Sequence, residues 1–486
     1  MRELVLLLGL SSLLRIILVV QGGQAYWPDE RLYLEVLEAW SQPRWSDVVA
    51  GILGRPDHLG FALLSAVPAG IHHAVSAASG MDATRLLMLP SLVLAHASVV
   101  AIALVYAIAR RTGGEPREAL LAALLMGCST AMFYNARHLL PYDGALAIAL
   151  GAVWCGLRTD RTSRSVACGA LACCAFVTYN GYWLLAGTAM LVHVLFPLRD
   201  LTRPALLSAG GRAGLATAGF VAVMAALTGV QLVVGVPLLL GGMRRLASTI
   251  TDGYMPEGFV VPWAYLWHGE RALLLIWITA ALVTIVDRGT WPDQRRRCAS
   301  IWLASAACIY LALGGGSAFL HVFAVMGRGV RQVVPFLCLA AAPAILRAFD
   351  ASGRRTTWIT ASAATLLVST ATNFWTPLTQ RFPRNLDAQV KAKYGDIDHA
   401  FSIDGPGPNN ARAGMRWVLT NTAHLYPPRG PRAVPRGTVA LRFPHPLEFL
   451  PYQYEGFDPL ERQVLRQNDI SMRLIDTAAP PPVAPP

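Results

Sequence analysis

Asp29 and Glu30 stand side by side in the stretch Tyr26-Trp27-Pro28-Asp29-Glu30-Arg31-Leu32-Tyr33, directly after an apolar run from Leu4 to Val20. Paired carboxylates are costly to keep beside hydrocarbon, and a carboxylate held near a reacting hydroxyl can take its proton. An ordinary helix start accounts for the same residues: Pro28 presets a first turn, and the helix dipole stabilises acids placed in it. A second group, Asn135-Ala136-Arg137-His138-Leu139-Leu140-Pro141-Tyr142-Asp143-Gly144, packs Arg137, His138 and Asp143 into one short connection. It reads either as a reactive cluster or as an interfacial salt bridge between Arg137 and Asp143.

Two basic groups could hold a phosphate. One is Arg55-Pro56-Asp57-His58; the other is His321 followed by Gly327-Arg328-Gly329-Val330-Arg331-Gln332-Val333-Val334-Pro335. Arginine suits phosphate because its planar fork makes bidentate contacts and stays ionised. Arginines snorkelling at a span end are the plain alternative. A connection over 241–271 carries Arg244, Arg245, Tyr254, Trp263, Tyr265, Trp267, His268, Glu270 and Arg271. Its rings could stack on a sugar, although aromatic belts at the membrane interface are routine. His58, His138, Tyr254, His268 and His321 are the candidates to touch a sugar or an acceptor. Arg15, inside the first apolar run, is expected to face other helices and find a partner there. Nucleotide-phosphate loops, the serine-nucleophile elbow and HExxH have no credible match. Asp143 and the nearby histidines leave room for a divalent cation, but no ligand spacing demands one, and no other cofactor is called for.

These residues must be positioned by membrane helices. The chain has 486 residues, 54% hydrophobic and 14% charged, whereas a soluble domain carries about a quarter charged residues. Apolar runs of about 18 residues or more recur, each enough to cross roughly 30 Å of hydrocarbon. The expected fold class is therefore all-α and polytopic in a cell membrane. The net charge of +12 lies in short connections between apolar runs; with no continuous basic stripe, a nucleic-acid partner is excluded in favour of topology signals. The first run has the length of a signal peptide but no clean cleavage site, and is read as a retained span. All eight cysteines lie in or beside apolar runs. They suit small apolar fillers better than a disulfide framework or a zinc site.

About eleven spans are expected: the first run, then segments near 86–109, 119–134, 144–157, 165–179, 182–197, 214–240, 272–286, 299–313, 332–346 and 357–373. Alternate connections carry arginine clusters at 110–117, 158–164, 199–212, 288–297 and 347–355. Placing all five in the cytoplasm puts the N-terminus inside and the C-terminus outside. The connections 21–85, 135–143, 180–181, 241–271 and 314–331 are then extracytoplasmic. Residues 59–79 are apolar enough to span, but counting them would invert every later connection. They are assigned to the large first outer loop as a juxtamembrane or re-entrant helix, which Pro68, His72 and His73 favour. Residues 1–374 would thus form a transmembrane domain. Residues 375–486 would form a small extracytoplasmic appendage ending in a disordered proline-rich tail.

Taken together, the motifs resemble the C-type superfamily of polytopic, lipid-phosphate-sugar-dependent glycosyltransferases (GT-C), which includes protein O-mannosyltransferases, aminoarabinose transferases and GPI mannosyltransferases. Trp27-Pro28-Asp29-Glu30 is similar to that superfamily's His-Pro-Asp-Glu form after the first span. Arg137 to Asp143 resembles its Arg-x-x-x-x-Asp stretch opening a span, Phe176-Val177-Thr178-Tyr179-Asn180-Gly181 its small turn after a later span, and Arg328 to Pro335 its basic-to-proline lead into a late span. The likeness covers about residues 1–350. Trp27 stands where one branch has histidine, and Arg55-Pro56-Asp57-His58 where others have Lys-Pro-Pro. The resemblance implies inverting transfer of a mannose- or arabinose-like sugar from a polyprenyl-phosphate donor to a hydroxyl of a protein, lipid or glycan. It implies Asp29 as general base, Glu30 as its orienting neighbour, and Arg331, Arg328, Arg55 and Arg137 as phosphate contacts. Asp143 belongs to the acceptor or metal region. A lipid-linked-sugar flippase and a non-catalytic lipid-binding protein are the rival readings. The first would want midplane ionisable residues and a repeat, neither of which is visible.

Overall fold

The computed structural model describes residues 2–21, 31–56, 58–81, 86, 88–133, 136, 138–158, 160–242, 259–286, 293–320, 327–351, 364, 366–368 and 370–371, with four short strands further on. The described part is built from helices: α1 (Arg2–Gln21), α2 (Arg31–Ala39), α3 (Trp45–Leu53), α4 (Leu59–Ser79), α5 (Met88–Arg111), α6 (Pro116–Cys128), α7 (Thr130–Phe133), α8 (Tyr142–Gly156), α9 (Thr162–Thr178), α10 (Trp183–Leu195) and α11 (Arg203–Val234). Then come α12 (Val260–Glu270), α13 (Ala272–Val286), α14 (Asp293–Ala318), α15 (Gly327–Val330) and α16 (Val334–Ala351). Single 3-10 turns at Asn180–Tyr182 and Arg331–Val333 lead into α10 and α16.

Among the described residues, six helices are long and apolar enough to cross a membrane: Arg2–Val20, Leu59–Ser79, Met88–Arg111, Arg203–Val234, Gln294–Ala318 and Arg331–Asp350. Their outward side chains, among them Leu6, Val67, Leu232 and Val233, are exposed, and an apolar surface of that extent belongs in hydrocarbon. The chain is a multi-pass membrane protein. Several of the expected eleven spans form as shorter helices. The expected span 119–134 is interrupted at Ser129, which is extended at φ −68° and ψ 127° and separates α6 from α7. The 15 residues of α8 reach about 22 Å, short of a bilayer's roughly 30 Å. Most of 357–373 lies outside the described residues.

The short helix α8 is the centre of the bundle. Ala145, Leu146, Ala149, Leu150, Ala152 and Val153 are all buried, because α5, α9 and α10 pack around it. Small residues set the closest approach. A methyl group on Gly169 of α9 would stand 1.7 Å from the Ala216 carbonyl oxygen of α11, and one on Gly219 would stand 2.1 Å from that of Val166. In hydrocarbon, such backbone contact replaces the drive that water would supply.

Arginine-bearing connections meet at the far end of α8. Arg111 lies over the Trp154 ring at 3.9 Å and donates to the Trp154 carbonyl. Arg295 pairs with Glu115 at 2.6 Å and Glu118 at 3.1 Å, while Arg297 donates to the Phe196 carbonyl at 2.8 Å. The near end of α8 holds the acid Asp143 in its first turn.

Helices α2, α3 and α4 form a small core of their own around Tyr33, Val36, Val48, Ile52, Phe61 and Ala69. Trp40 donates to the Ala66 carbonyl at 2.9 Å, and the Tyr33 hydroxyl meets His72 Nδ1 at 3.1 Å. In the C-terminal region the described residues form two antiparallel pairs, Ala400–Ser402 with Val418–Thr420 and Val439–Arg442 with Ser471–Leu474.

Candidate functional site

The Arg331 guanidinium forms an ion pair with the Asp143 carboxylate inside the bundle, with side-chain exposures of 2% and 7%. Two chain features bring them together. Pro141 ends its connection so that α8 starts at Tyr142 with Asp143 in the first turn, where the helix dipole favours an anion. On the other side, the turn Arg331–Val333 is pinned by buried Gln332. Its amide donates to the carbonyls of Gly329 at 2.8 Å and Gly181 at 3.4 Å, and its oxygen accepts from the Leu185 N–H at 3.0 Å. Thus the stretches Phe176–Gly181 and Arg328–Pro335, far apart in sequence, are held against each other by one side chain.

A second buried arginine stands beside the first. Arg15 of α1 is fully buried and donates to Ser98 Oγ at 2.9 Å, the Ser11 carbonyl at 3.1 Å and the Met132 carbonyl at 3.1 Å. The sulfur of the same Met132 lies 4.0 Å from Arg331 Nη2. Met132 of α7 therefore separates two guanidinium groups and touches both. Among the described residues, the partners that Arg15 finds are neutral oxygens.

Helix α7 is itself held by Glu270, the last residue of α12 and 2% exposed. Its carboxylate accepts from Ser129 Oγ at 2.7 Å and from the N–H groups of Thr130 and Ala131, both at 3.0 Å. Burial pushes this carboxyl above the usual range, against the opposing pull of the Ser129 hydroxyl, the two N–H groups and the Arg331 charge. The next residue, Arg271, is the only non-glycine residue with positive φ among those described, at 46°. That sparsely populated backbone makes the sharp break that ends α12 at Glu270. Glu270→Ala would leave three donors without their acceptor, so we expect a loss of about 2–5 kcal/mol of stability. A thermal-unfolding midpoint equal to wild type would show that Glu270 does not anchor α7.

Aromatic rings cluster about Tyr142, the residue before Asp143. Tyr179 meets Tyr142 edge-on at 4.8 Å and Tyr182 at 5.0 Å between centroids, and it stacks on His58 at 5.8 Å. His138 is buried. The first-loop cation Arg55 is engaged elsewhere: it pairs with Glu35 at 2.5 Å and donates to the Gly51 carbonyl at 3.2 Å.

The expected site residues thus divide. Asp143 and Arg331, assigned separate tasks from the sequence, form one ion pair, and His58 joins them through Tyr179 and Tyr142. Arg55 has its own carboxylate partner. Asp29, Glu30, Arg137, Tyr254 and His321 lie outside the described residues, as do the side chains of Arg328 and His268. Asp143, which the sequence allowed to pair with Arg137, pairs among the described residues with Arg331, which packing delivers to the start of α8. Among the described residues, Asp143 is engaged by Arg331 and both Glu270 oxygens accept hydrogen bonds. Among the described residues no group of three His, Cys, Asp or Glu side chains could hold a divalent cation.

No protein-family model and no curated protein matches this sequence. Among solved structures, the chain is similar to the oligosaccharyltransferase AglB of Archaeoglobus fulgidus, solved with an inhibitory peptide and a dolichol-phosphate. The TM-score is 0.49 and the identity 13%, over 81% of this chain and 58% of that one. It is also similar to ArnT of Cupriavidus metallidurans bound to undecaprenyl phosphate, with TM-score 0.47 and identity 16%, over 78% of this chain and 66% of that one. The chain spans 58% of the length of AglB.

Glu270, Met132, Gln332 and the three tyrosines are the residues that sequence reasoning did not place in the site. Glu270 had a signal. A carboxylate directly ahead of a long apolar run is as costly as the pair at Asp29 and Glu30, and calls for a buried partner. Gln332 and Met132 had none, because their roles depend on which carbonyl or cation faces them.

Proposed function

We propose that this chain is a GT-C-type membrane glycosyltransferase. It moves a mannose- or arabinose-like sugar, with inversion, from a polyprenyl-phosphate donor to an acceptor hydroxyl on the extracytoplasmic face. The observation that carries the reading is the buried Arg331 paired with Asp143 at the end of α8 away from the clustered arginines, with Tyr142, the residue before Asp143, packed on Tyr179. With those arginines in the cytoplasm, the Asp143 end faces outward. About eleven spans, an inside N-terminus and an extracytoplasmic region over 375–486 complete that topology.

Within it, Arg331 with Arg328 holds the donor phosphate, and Arg137 lies on the same connection as His138. Arg55, neutralised by Glu35, is a weaker candidate than its sequence suggests. Preorganised cations facing a developing negative charge in a dry site are usually the largest catalytic contribution. Phosphate is a good leaving group, so no general acid is required. One base suffices to take the acceptor proton: Asp29, with Glu30 orienting it. His58 and the tyrosine rings offer flat apolar faces to a sugar.

Purified protein in liposomes, given polyprenyl-phosphate sugars with a labelled sugar, separates the alternatives. The reading expects release of polyprenyl phosphate and label on an acceptor hydroxyl. Movement of intact donor across the bilayer would make the chain a flippase, and retention of intact donor would make it a lipid-binding protein.

A further inference from the structure

We infer that Asp143 is a specificity-determining residue: its carboxylate is the resident counter-anion of Arg331 and keeps ordinary membrane phosphates off that guanidinium. This rests on the reading of Arg331 as the donor-phosphate residue.

A site that binds a phosphate inside a membrane faces a particular problem, because phospholipid phosphates surround it in great excess. An uncompensated arginine there would be occupied by bulk lipid. Among the described residues, the neighbourhood carries two guanidinium groups, Arg15 and Arg331, bridged by Met132, and two carboxylates, Asp143 and Glu270. An arriving anion therefore meets the Arg331 guanidinium already paired with a carboxylate. The carboxylates are not interchangeable. Both Glu270 oxygens are committed to α7 and the residue before it, while Asp143 pairs with Arg331 and sits in a helix first turn, where the dipole also favours an anion.

An arriving phosphate must therefore replace a carboxylate on Arg331. A bulk phospholipid offers one negative charge and little else. A polyprenyl phosphate, as a monoester, carries about −1.5 to −2 charges at pH 7, and a donor, a diester of one charge, adds its sugar against His58 and the tyrosines. Only a lipid with the additional charge or contacts exceeds the threshold that Asp143 sets. Specificity gained by opposing the wrong partner, at some loss of affinity for the right one, is a general device of recognition.

The test compares wild type with Asp143→Asn in detergent micelles, titrated with undecaprenyl phosphate and, separately, with phosphatidylglycerol. Removing a like charge a few ångströms from the phosphate in a partly dry site is expected to tighten undecaprenyl phosphate binding by about tenfold or more. Phosphatidylglycerol should then compete in the variant at concentrations that leave wild type unaffected. Equal or weaker binding by Asp143→Asn, or unchanged discrimination between the two lipids, overturns the inference. Asp143→Glu keeps the anion and should bind and discriminate as wild type does; tenfold tighter binding by that variant would overturn the inference as well, and this holds even where the asparagine variant does not fold. Undecaprenyl phosphate binding that is the same in Arg331→Gln as in wild type would instead refute the donor-phosphate reading beneath it.

Discussion

Arg331→Ala is expected to weaken binding of polyprenyl phosphate by about 10²- to 10⁴-fold. Two charge-assisted hydrogen bonds from one guanidinium are worth about 1.5–3 kcal/mol each, and 1.4 kcal/mol is a factor of ten. The same change removes the partner of the Asp143 carboxylate inside the bundle. Breaking a buried pair from one side costs about 3–5 kcal/mol of stability, so lost activity alone would be ambiguous. The double variant Arg331→Gln with Asp143→Asn removes both charges and keeps similar volumes. It is expected to recover most of the unfolding temperature and none of the donor binding, as read by lipid titration of the folded protein. Folded Arg331→Ala protein whose turnover keeps the wild-type dependence on donor concentration would take Arg331 out of the phosphate site.

Asp29→Asn is expected to lower kcat by about 10²- to 10⁴-fold, the usual contribution of a positioned general base. Asparagine is nearly isosteric with aspartate but takes no proton, so binding of undecaprenyl phosphate and the unfolding midpoint should hold at wild-type values. That split distinguishes a base from a structural helix-start acid, whose replacement would lower stability and leave the chemistry intact. Single-turnover measurements at saturating donor read the chemical step directly. A wild-type rate in that assay would assign Asp29 to the helix start alone.

Much of the bundle is legible in the chain because hydrocarbon is an unforgiving solvent. A run such as Met88–Arg111 can bury its backbone only as a helix, whatever surrounds it. Where polar residues interrupt an apolar run, that rule weakens. Ser129 divides an expected span into α6 and α7, and the carboxylate that makes the division tolerable is Glu270, 141 residues away in sequence. Nothing local to Ser129 announces it.

The amino-acid sequence by itself determined that this is a multi-pass helical protein and which residue types could do chemistry at its helix ends. Each follows from transfer energies that act residue by residue: apolar runs leave water, and charges avoid hydrocarbon without a partner. Only the tertiary structure decided who partners whom. Among the described residues, Arg331 went to Asp143, Arg55 went to Glu35, and Arg15 settled among neutral oxygens across Met132. Pairing energy depends on distance and on the water excluded between two groups. Those are set by how helices such as α8, α9 and α11 close on their small residues, a property of the packed bundle and of no single segment.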